Sequence, residues 1–252
     1  RKCVSIDASM DKNMILDKMV DIIEDVITLS GLNREKIAGI GLAIPGPGDY
    51  QQGVILNPPN FPSWINVPIR DIIQKRTGLR TYTAKETACA GLAEYWFGSA
   101  VNSKRVFVLH LDTVGIGGAY IYQGDIYQAN VRETMDIGHN TVHADGYMCA
   151  CGNKGCLEAH ANGRAVVRYA EENMKLYPSG LFSGKKSITL EDVLYGVAQD
   201  DPACMEAVRK SAYYISAALK NVILLLAPDR ICFGGNFADK CPLLLDMVCE
   251  QL

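Results

Sequence analysis

Three cysteines fall within eight residues, Cys149, Cys151 and Cys156, in the run CACGNKGCLEAH (149–160), and His139 stands ten positions before the first of them. Thiolate sulfur and imidazole nitrogen are the donors of closed, four-coordinate structural zinc sites. The spacing His-x9-Cys-x-Cys-x4-Cys sets four such donors on one short stretch, and Gly152 and Gly155 give it the backbone freedom to wrap round an ion. The chemistry expected is therefore structural zinc held by His139, Cys149, Cys151 and Cys156, with His143 as the weaker alternative for the fourth position. The competing reading is three buried or disulfide-bonded cysteines beside an unrelated histidine.

The motif resembles the signature of the ROK family, which contains bacterial repressors, open reading frames and sugar kinases. There G-E-x-G-H is followed by C-x-C-G-x-x-G-C-x-E; here MDIGH (135–139) and CACGNKGCLE (149–158) take those places. GIGLAIPGPGD (39–49) is similar to a G-I-G-x-x-x-P-G-x-x-D segment. NPPNF (57–61) followed by Trp64 is similar to a sugar-loop P-N-x-x-x-W, and LAEYWFG (92–98) and ICFGGN (231–236) also have counterparts. The resemblance runs over nearly the whole chain in the family's order. It implies an α/β, actin-like ATPase (ribonuclease H-like) fold of two lobes with a sugar held in the cleft between them. Relative to the family, the sequence is expected to be truncated at both ends, lacking the opening strand pair with its glycine-rich phosphate loop and stopping one helix after Gly234-Gly235.

By position, the resemblance assigns sugar contacts to Asn60, Glu86, Asp136, His139 and Glu158. One tetrahedral ion would fix His139 and the cysteine loop together, and so aim Glu158 and residue 136 at the same ligand. The alternative for Glu158 is that it caps the helix it enters. Asp136 departs from the family's glutamate and shortens the reach by about 1.3 Å, enough to lose a direct hydrogen bond or require a water. The residues before it, Val131 to Met135, are bulkier than the family's glycines.

Phosphoryl transfer needs a carboxylate base beside the accepting hydroxyl, a phosphate cradle and magnesium. The family's kinases place the base in N-D-A-N before the L-A-E helix; here those positions read Lys85-Glu86-Thr87-Ala88. Glu86 is the candidate catalytic base. A base displaced by about 1 Å costs roughly 100-fold, and the adjacent lysine lowers its basicity if the two pair. Of the phosphate loop G-T-G-I-G, Gly115 and Gly117 remain, but Val114 stands where a threonine hydroxyl would donate. Gly234 and Gly235 complete the candidate nucleotide contacts. A lone GxG is also what a tight strand-to-strand turn looks like.

These side chains must be positioned by a chain of 252 residues, 48% hydrophobic, with a net charge of −3. That suits a full globular core and argues against a general nucleic-acid surface. The longest apolar run, Val222–Ala227, is far too short to span a bilayer. Beyond the metal group, Cys3, Cys89, Cys204, Cys232, Cys241 and Cys249 are expected as reduced, buried thiols of a cytoplasmic protein. Strands are expected at 2–6, 37–44, 80–83, 105–111, 118–122, 126–128 and 230–233. Helices are expected at 10–29, 68–75, 86–97, 164–174, 190–197, 202–226 and 241–252, an alternation that gives an α/β fold. Residues 1–100 would form the N-terminal lobe and 101–252 the C-terminal lobe, with the zinc-binding loop at 139–158.

The leading expectation is the sugar-sensing effector part of a ROK transcriptional regulator. It would be a homodimer or homotetramer, binding a sugar or sugar derivative and touching DNA only through a helix-turn-helix outside this sequence. The alternative is an ATP- and Mg2+-dependent sugar kinase with Glu86 as base. A third is a catalytically inactive sugar-binding protein with another partner.

Overall fold

The computed structural model describes residues 2–6, 10–58, 61, 63–127, 135–177 and 180–252. The chain divides into two compact units, Arg1–Cys89 and Ala90–Tyr127 with Met135–Leu252.

The first unit opens with α1 (Lys12–Ser30), whose start is set by the Asp11 carboxylate accepting the Asn13 N–H at 2.8 Å. Its end is set by Gly31 at φ 64°, a left-handed position that favours glycine. A 3-10 turn (Arg34–Lys36) leads into β1 (Ile40–Ile44). A short hairpin, β2 (Gly48–Asp49) with β3 (Val54–Ile55), precedes α2 (Ile69–Thr77) and β4 (Thr81–Lys85). β1 and β4 pair in parallel from Ile40↔Thr81 to Ile44↔Lys85, so α2 serves as a crossover. Ile15, Leu16, Ile44, Trp64, Ile69 and Ile73 form the core of this unit. Arg34 clamps the unit's edge, forking onto Glu24 at 2.7 and 2.9 Å and reaching the Thr77 carbonyl. The β4 strand runs directly into α3 (Glu86–Phe97), which puts Lys85 and Glu86 at a strand-to-helix junction.

The second unit is built on β5 (Arg105–Leu111), β6 (Ile116–Tyr122), β7 (Asp125–Ile126) and β8 (Arg230–Gly234), in the order β7-β6-β5-β8. β5 and β6 form an antiparallel hairpin, while β5 and β8 run parallel. Arg105 and Asp229 fasten the starts of the two parallel strands. The aspartate accepts the Lys104 and Arg105 N–H groups at 3.0 and 2.9 Å and the Arg105 guanidinium at 2.7 Å. β5 reads Val-Phe-Val-Leu-His-Leu after its arginine; among these residues only His110 is not buried, as expected of a strand covered on both faces.

Among the described residues, six helices follow the cysteine-bearing loop in this unit: α4 (Leu157–Ala161), α5 (Gly163–Met174), α6 (Leu190–Ala198), α7 (Pro202–Leu226), α8 (Asn236–Lys240) and α9 (Pro242–Cys249). α7 begins with Pro202 in its first turn and with Asp201 as cap, and the buried carboxylate takes the Leu181, Ala203 and Cys204 N–H groups at 2.7, 3.1 and 3.1 Å. Ala203, Ala207, Ser211, Ala212 and Ala218 give α7 a buried face of small side chains, which lets α4, α5 and α9 approach it closely.

Several expectations shift. Residues 2–6 form no strand; a strand exists through its partner's hydrogen bonds, and none pairs with these residues among those described. Pro68 is the cap of α2 rather than its first helical residue. α4, α8 and the β2–β3 hairpin were not expected. Cys3 and Cys249 are exposed, Cys89 is half-buried, and Cys204, Cys232 and Cys241 are buried; all are free thiols.

Candidate functional site

The loop at 139–158 is shaped by its backbone before any side chain is considered. A 3-10 turn, Ile137–His139, lies against the start of β6: a Cβ on Gly138 would sit 2.1 Å from the Ile116 carbonyl oxygen, so only glycine fits there. His139 is thereby fixed relative to the sheet. Further along, Cys149 N–H donates to the Asn153 carbonyl at 2.8 Å and Gly152 N–H to the Cys149 carbonyl at 3.0 Å, making a tight turn that carries two of the thiols. Gly155, at φ 73°, lies under the His143 carbonyl, where a Cβ would come within 1.7 Å. Leu157 N–H closes the loop on the Asn140 carbonyl at 2.9 Å, delivering Cys156 as the cap of α4.

This backbone gathers His139, Cys149, Cys151 and Cys156 so that one donor atom from each lies within 4.8 Å of all the others. Cys149 Sγ is 3.7 Å from His139 Nδ1, and Cys151 Sγ is 3.6 Å from Cys156 Sγ. A tetrahedral zinc with its usual bond lengths has donor–donor edges of roughly 3.6–3.8 Å. The donor set and its spacing therefore fit zinc. Burial pushes the Cys156 thiol up to about 12 and raises Cys149 as well. Burial also acts on Cys151, but there it is outweighed by the Asn153 N–H and the two neighbouring thiols, which lower it. A cation among the sulfurs would hold all three as thiolates. His143 is not in the group. Its ring packs against His160 and Tyr214, with centroids 5.4 and 6.1 Å apart.

His139 has two nitrogens with different surroundings. Nδ1 belongs to the sulfur cluster, while Nε2 faces Asp136, 3.9 Å from its Oδ2. The two nitrogens thus face different partners, sulfur on one side and a carboxylate on the other. Glu158 stands nearby in the first turn of α4. It makes no capping bond to its own helix; its Oε2 accepts the Ile116 N–H at 3.1 Å. Burial raises the Glu158 carboxyl above its ordinary range, opposed by that N–H and by the charge of His139. Asp136 and Arg164 also act on it. Asp136, His139 and Glu158 are thus neighbours within the second unit. Glu86 is the exposed first residue of α3, in the first unit. Asn60 lies outside the described residues, as do Val131 to Thr134.

The glycines split into two groups. Gly115 abuts Glu158, its Cβ position 3.6 Å from Oε2. Gly117 is inside β6, opposite His110. Gly234 and Gly235 close β8 against the end of β5, and a Cβ on Gly235 would meet the Leu111 carbonyl at 2.4 Å.

Sequence reasoning missed His160. Its Nε2 accepts the Tyr147 N–H at 3.2 Å, so Nδ1 carries the proton and donates to the Tyr169 hydroxyl at 2.9 Å. The ring ties the cysteine-bearing loop to α5. Burial, aided by His143, Arg168 and Lys210, lowers His160 to about 4 from 6.5. The unfolded chain therefore binds the extra proton between those pH values. The stability that neutral His160 contributes is complete above about pH 6.5 and is lost as pH falls towards 4, on the order of 3 kcal/mol in all. Urea unfolding across that window should show the slope, and His160→Gln should flatten it; an unchanged slope in the variant would remove His160 as its source.

The parallel β5–β8 pair, the antiparallel β5–β6–β7 edge and the helices packed on them define the class: an α/β, actin-like ATPase fold. The chain belongs to the ROK family, matched over residues 7–252. It is 28% identical to the glucokinase of Thermotoga maritima, over 99% of this chain and 82% of that one. It is 26% identical to the xylose repressor of Caldicellulosiruptor bescii, over 96% of this chain and 61% of the repressor, so it spans less than two thirds of the repressor's length. Among solved structures, a ROK glucokinase from Streptomyces griseus in complex with glucose and AMPPNP superposes with a TM-score of 0.79 at 27% identity, covering 93% of this chain and 77% of that one. A ROK transcriptional regulator, homologous to the E. coli MLC protein, gives 0.82 at 24% identity over 96% and 62%, a likeness that speaks for the fold. Kinases and repressors thus stand at similar distances. Among the described residues, no helix is long and apolar enough to cross a membrane.

Proposed function

We propose that the chain is the sugar-sensing effector part of a ROK transcriptional regulator, with residues 1–100 and 101–252 as its two lobes. A sugar or sugar derivative would bind through Asp136, His139 and Glu158; the family resemblance adds Asn60 and Glu86 as candidates. Zinc held by His139, Cys149, Cys151 and Cys156 would keep the first three aimed. The observation that carries this reading is the contrast between two halves of the family's machinery. Four donors suited to zinc lie within 4.8 Å of one another and Glu158 is tied to the Ile116 N–H, whereas the base position reads Lys85-Glu86 and the phosphate loop has Val114 for threonine. Sugar binding would shift a conformational equilibrium and so change the affinity of a helix-turn-helix elsewhere in the regulator for DNA. A homodimer or homotetramer in the cytoplasm suits that role.

The second reading is a kinase using ATP and Mg2+, with Glu86 as general base and Gly115, Gly117, Gly234 and Gly235 at the nucleotide. Glu86 remains a carboxylate at a strand-to-helix junction, and glucokinases stand among the relatives. A coupled ADP-release assay with glucose, N-acetylglucosamine, N-acetylmannosamine and xylose separates the two. Calorimetric binding of one of these sugars with turnover about 100-fold or more below that of a working sugar kinase is expected. Robust turnover that Glu86→Gln abolishes would establish the kinase.

A further inference from the structure

The three thiols of the loop at 139–158 are not equivalent. Cys149 and Cys156 are buried, whereas Cys151 is exposed. Their neighbours differ as well. Cys149 Sγ lies 3.7 Å from His139 Nδ1, and Cys151 Sγ lies 3.6 Å from Cys156 Sγ. Closing that second gap to the roughly 2.0 Å of a sulfur–sulfur bond asks only a small movement of one side of the loop.

The loop is built so that one side can give and the other cannot. Cys156 is anchored. It bridges to Thr141, and the next amide, Leu157 N–H, bonds to the Asn140 carbonyl at 2.9 Å. Its Sγ is 3.5 Å from the His139 carbonyl and accepts from Asn153 Nδ2 at 3.4 Å. Cys151 instead sits in a turn whose next three residues, Gly152, Asn153 and Lys154, are all exposed. A Cβ on Gly152 would meet nothing within 4 Å, so there is open space beside the turn. The sulfur that a dissolved oxidant reaches first therefore has a second, fixed sulfur directly behind it.

We propose that Cys151 is an oxidation site, and that a hydroperoxide converts Cys151 and Cys156 into a disulfide that expels the metal and weakens the sugar site. The expulsion rests on the zinc reading above and the weakened sugar site on the sensor reading; the pairing of the two sulfurs rests on neither. The Cys151 thiolate attacks one oxygen of hydrogen peroxide. The O–O bond breaks, hydroxide leaves, and Cys151 becomes a sulfenic acid. The Cys156 thiolate then attacks the Cys151 sulfur, the S–O bond breaks, and a second hydroxide leaves as the S–S bond forms. The two sulfurs together give up two electrons, the peroxide takes them, and two protons from solvent turn the hydroxides into water. A disulfide sulfur carries no negative charge for a cation, so two of the four donors are lost at once. With them goes the tie between His139 and the cysteine-bearing loop.

The test treats the zinc-loaded full chain with a small molar excess of hydrogen peroxide. A chromophoric chelator follows released zinc, and a peptide map after alkylation follows the thiols. About one zinc should be released for each disulfide formed, with Cys151 linked to Cys156 and Cys149 still free to alkylate. Dithiothreitol and added zinc should restore the starting state. Cys151→His keeps four donors in a Cys2His2 set but cannot form the disulfide, so its zinc should leave at least about tenfold more slowly. A disulfide that joins Cys149 to either neighbour would overturn the proposal. So would oxidation confined to the other exposed thiols, Cys3 and Cys249, or zinc loss from Cys151→His at the rate of the unsubstituted protein. Should Cys151→His not hold zinc, the peptide map of the unsubstituted protein decides alone. Calorimetry with the sugar that binds the reduced protein should show affinity falling at least about tenfold on oxidation and returning on repair. Unchanged affinity in protein shown to carry the disulfide would overturn the link to the sugar site. Reduced, zinc-loaded protein that binds no sugar would overturn the sensor reading, and protein that takes up no zinc would end the metal assignment; in both cases the sulfur pairing still stands or falls on the map.

Discussion

Purified protein is expected to carry about one zinc ion per chain, and Cys156→Ser to carry almost none while losing on the order of 3–5 kcal/mol of stability. Cys156 is the most consequential of the four donors because of where it sits. It is fully buried, its Sγ is 3.6 Å from Cys151 Sγ, and it is the residue from which α4 departs. The loop round it has few apolar contacts of its own: Cys151, Gly152, Asn153 and Lys154 are all exposed. Without the ion, what closes the loop is a handful of backbone hydrogen bonds, among them those from Cys149 to Asn153 and from Gly155 to Tyr147, and a segment with so little apolar packing opens readily. Metal analysis together with thermal unfolding, before and after chelation, would check this. Cys249→Ser, at an exposed free thiol far from the group in sequence, serves as the control and should change neither zinc content nor melting temperature. Wild type purified zinc-free without chelator, with Cys156→Ser unfolding at the same temperature, would end the metal assignment.

The grouping of His139 with Cys149, Cys151 and Cys156 was legible because it is mostly local. Three thiols in eight residues announce themselves without any knowledge of the fold, and only His139 had to be brought in from further away. α7 was equally plain: Asp201-Pro202 marks its start, and a stripe of small and apolar residues runs to Leu226. Short elements were less so. α4 has five residues, barely more than one turn, so no hydrophobic period can form, and the hairpin of β2 and β3 has only two residues per strand.

Tertiary contacts were the least accessible. The partner of Glu158 is the N–H of Ile116, 42 residues earlier, and a backbone amide leaves no mark in a sequence. The resemblance supplied Glu158 as a candidate, whereas the strand-to-helix bond that orients it came from the structure. His110 did leave a signal, as the one polar side chain in the apolar run Val106–Leu111. Its partner, the Asp112 carboxylate 3.1 Å away, also accepts the Asn236 N–H at 2.8 Å, a contact that only the pairing of β5 with β8 brings about.

Glu158→Gln is expected to weaken sugar binding by about 10- to 100-fold while leaving the fold intact, the loss of one charge-assisted hydrogen bond. The substitution is informative because the two carboxylate oxygens have different tasks. Oε2 is committed to the Ile116 N–H at 3.1 Å, and a glutamine can keep that bond through its carbonyl. The amide then turns its NH2 towards the position of Oε1, replacing an acceptor with a donor where a sugar hydroxyl would give its proton. Glu158→Ala differs in kind. It removes the same acceptor but also strands the Ile116 N–H at the mouth of β6, so it should cost a further 1–3 kcal/mol or so of stability. Calorimetry with the sugar that binds wild type, run beside thermal unfolding, separates these effects: glutamine should move affinity alone, and alanine both. If glutamine bound sugar as well as wild type, Glu158 would be a strut between α4 and β6. The ligand contacts would then have to come from His139 Nε2 and Asp136, whose carboxylate is already one methylene short of the family's glutamate.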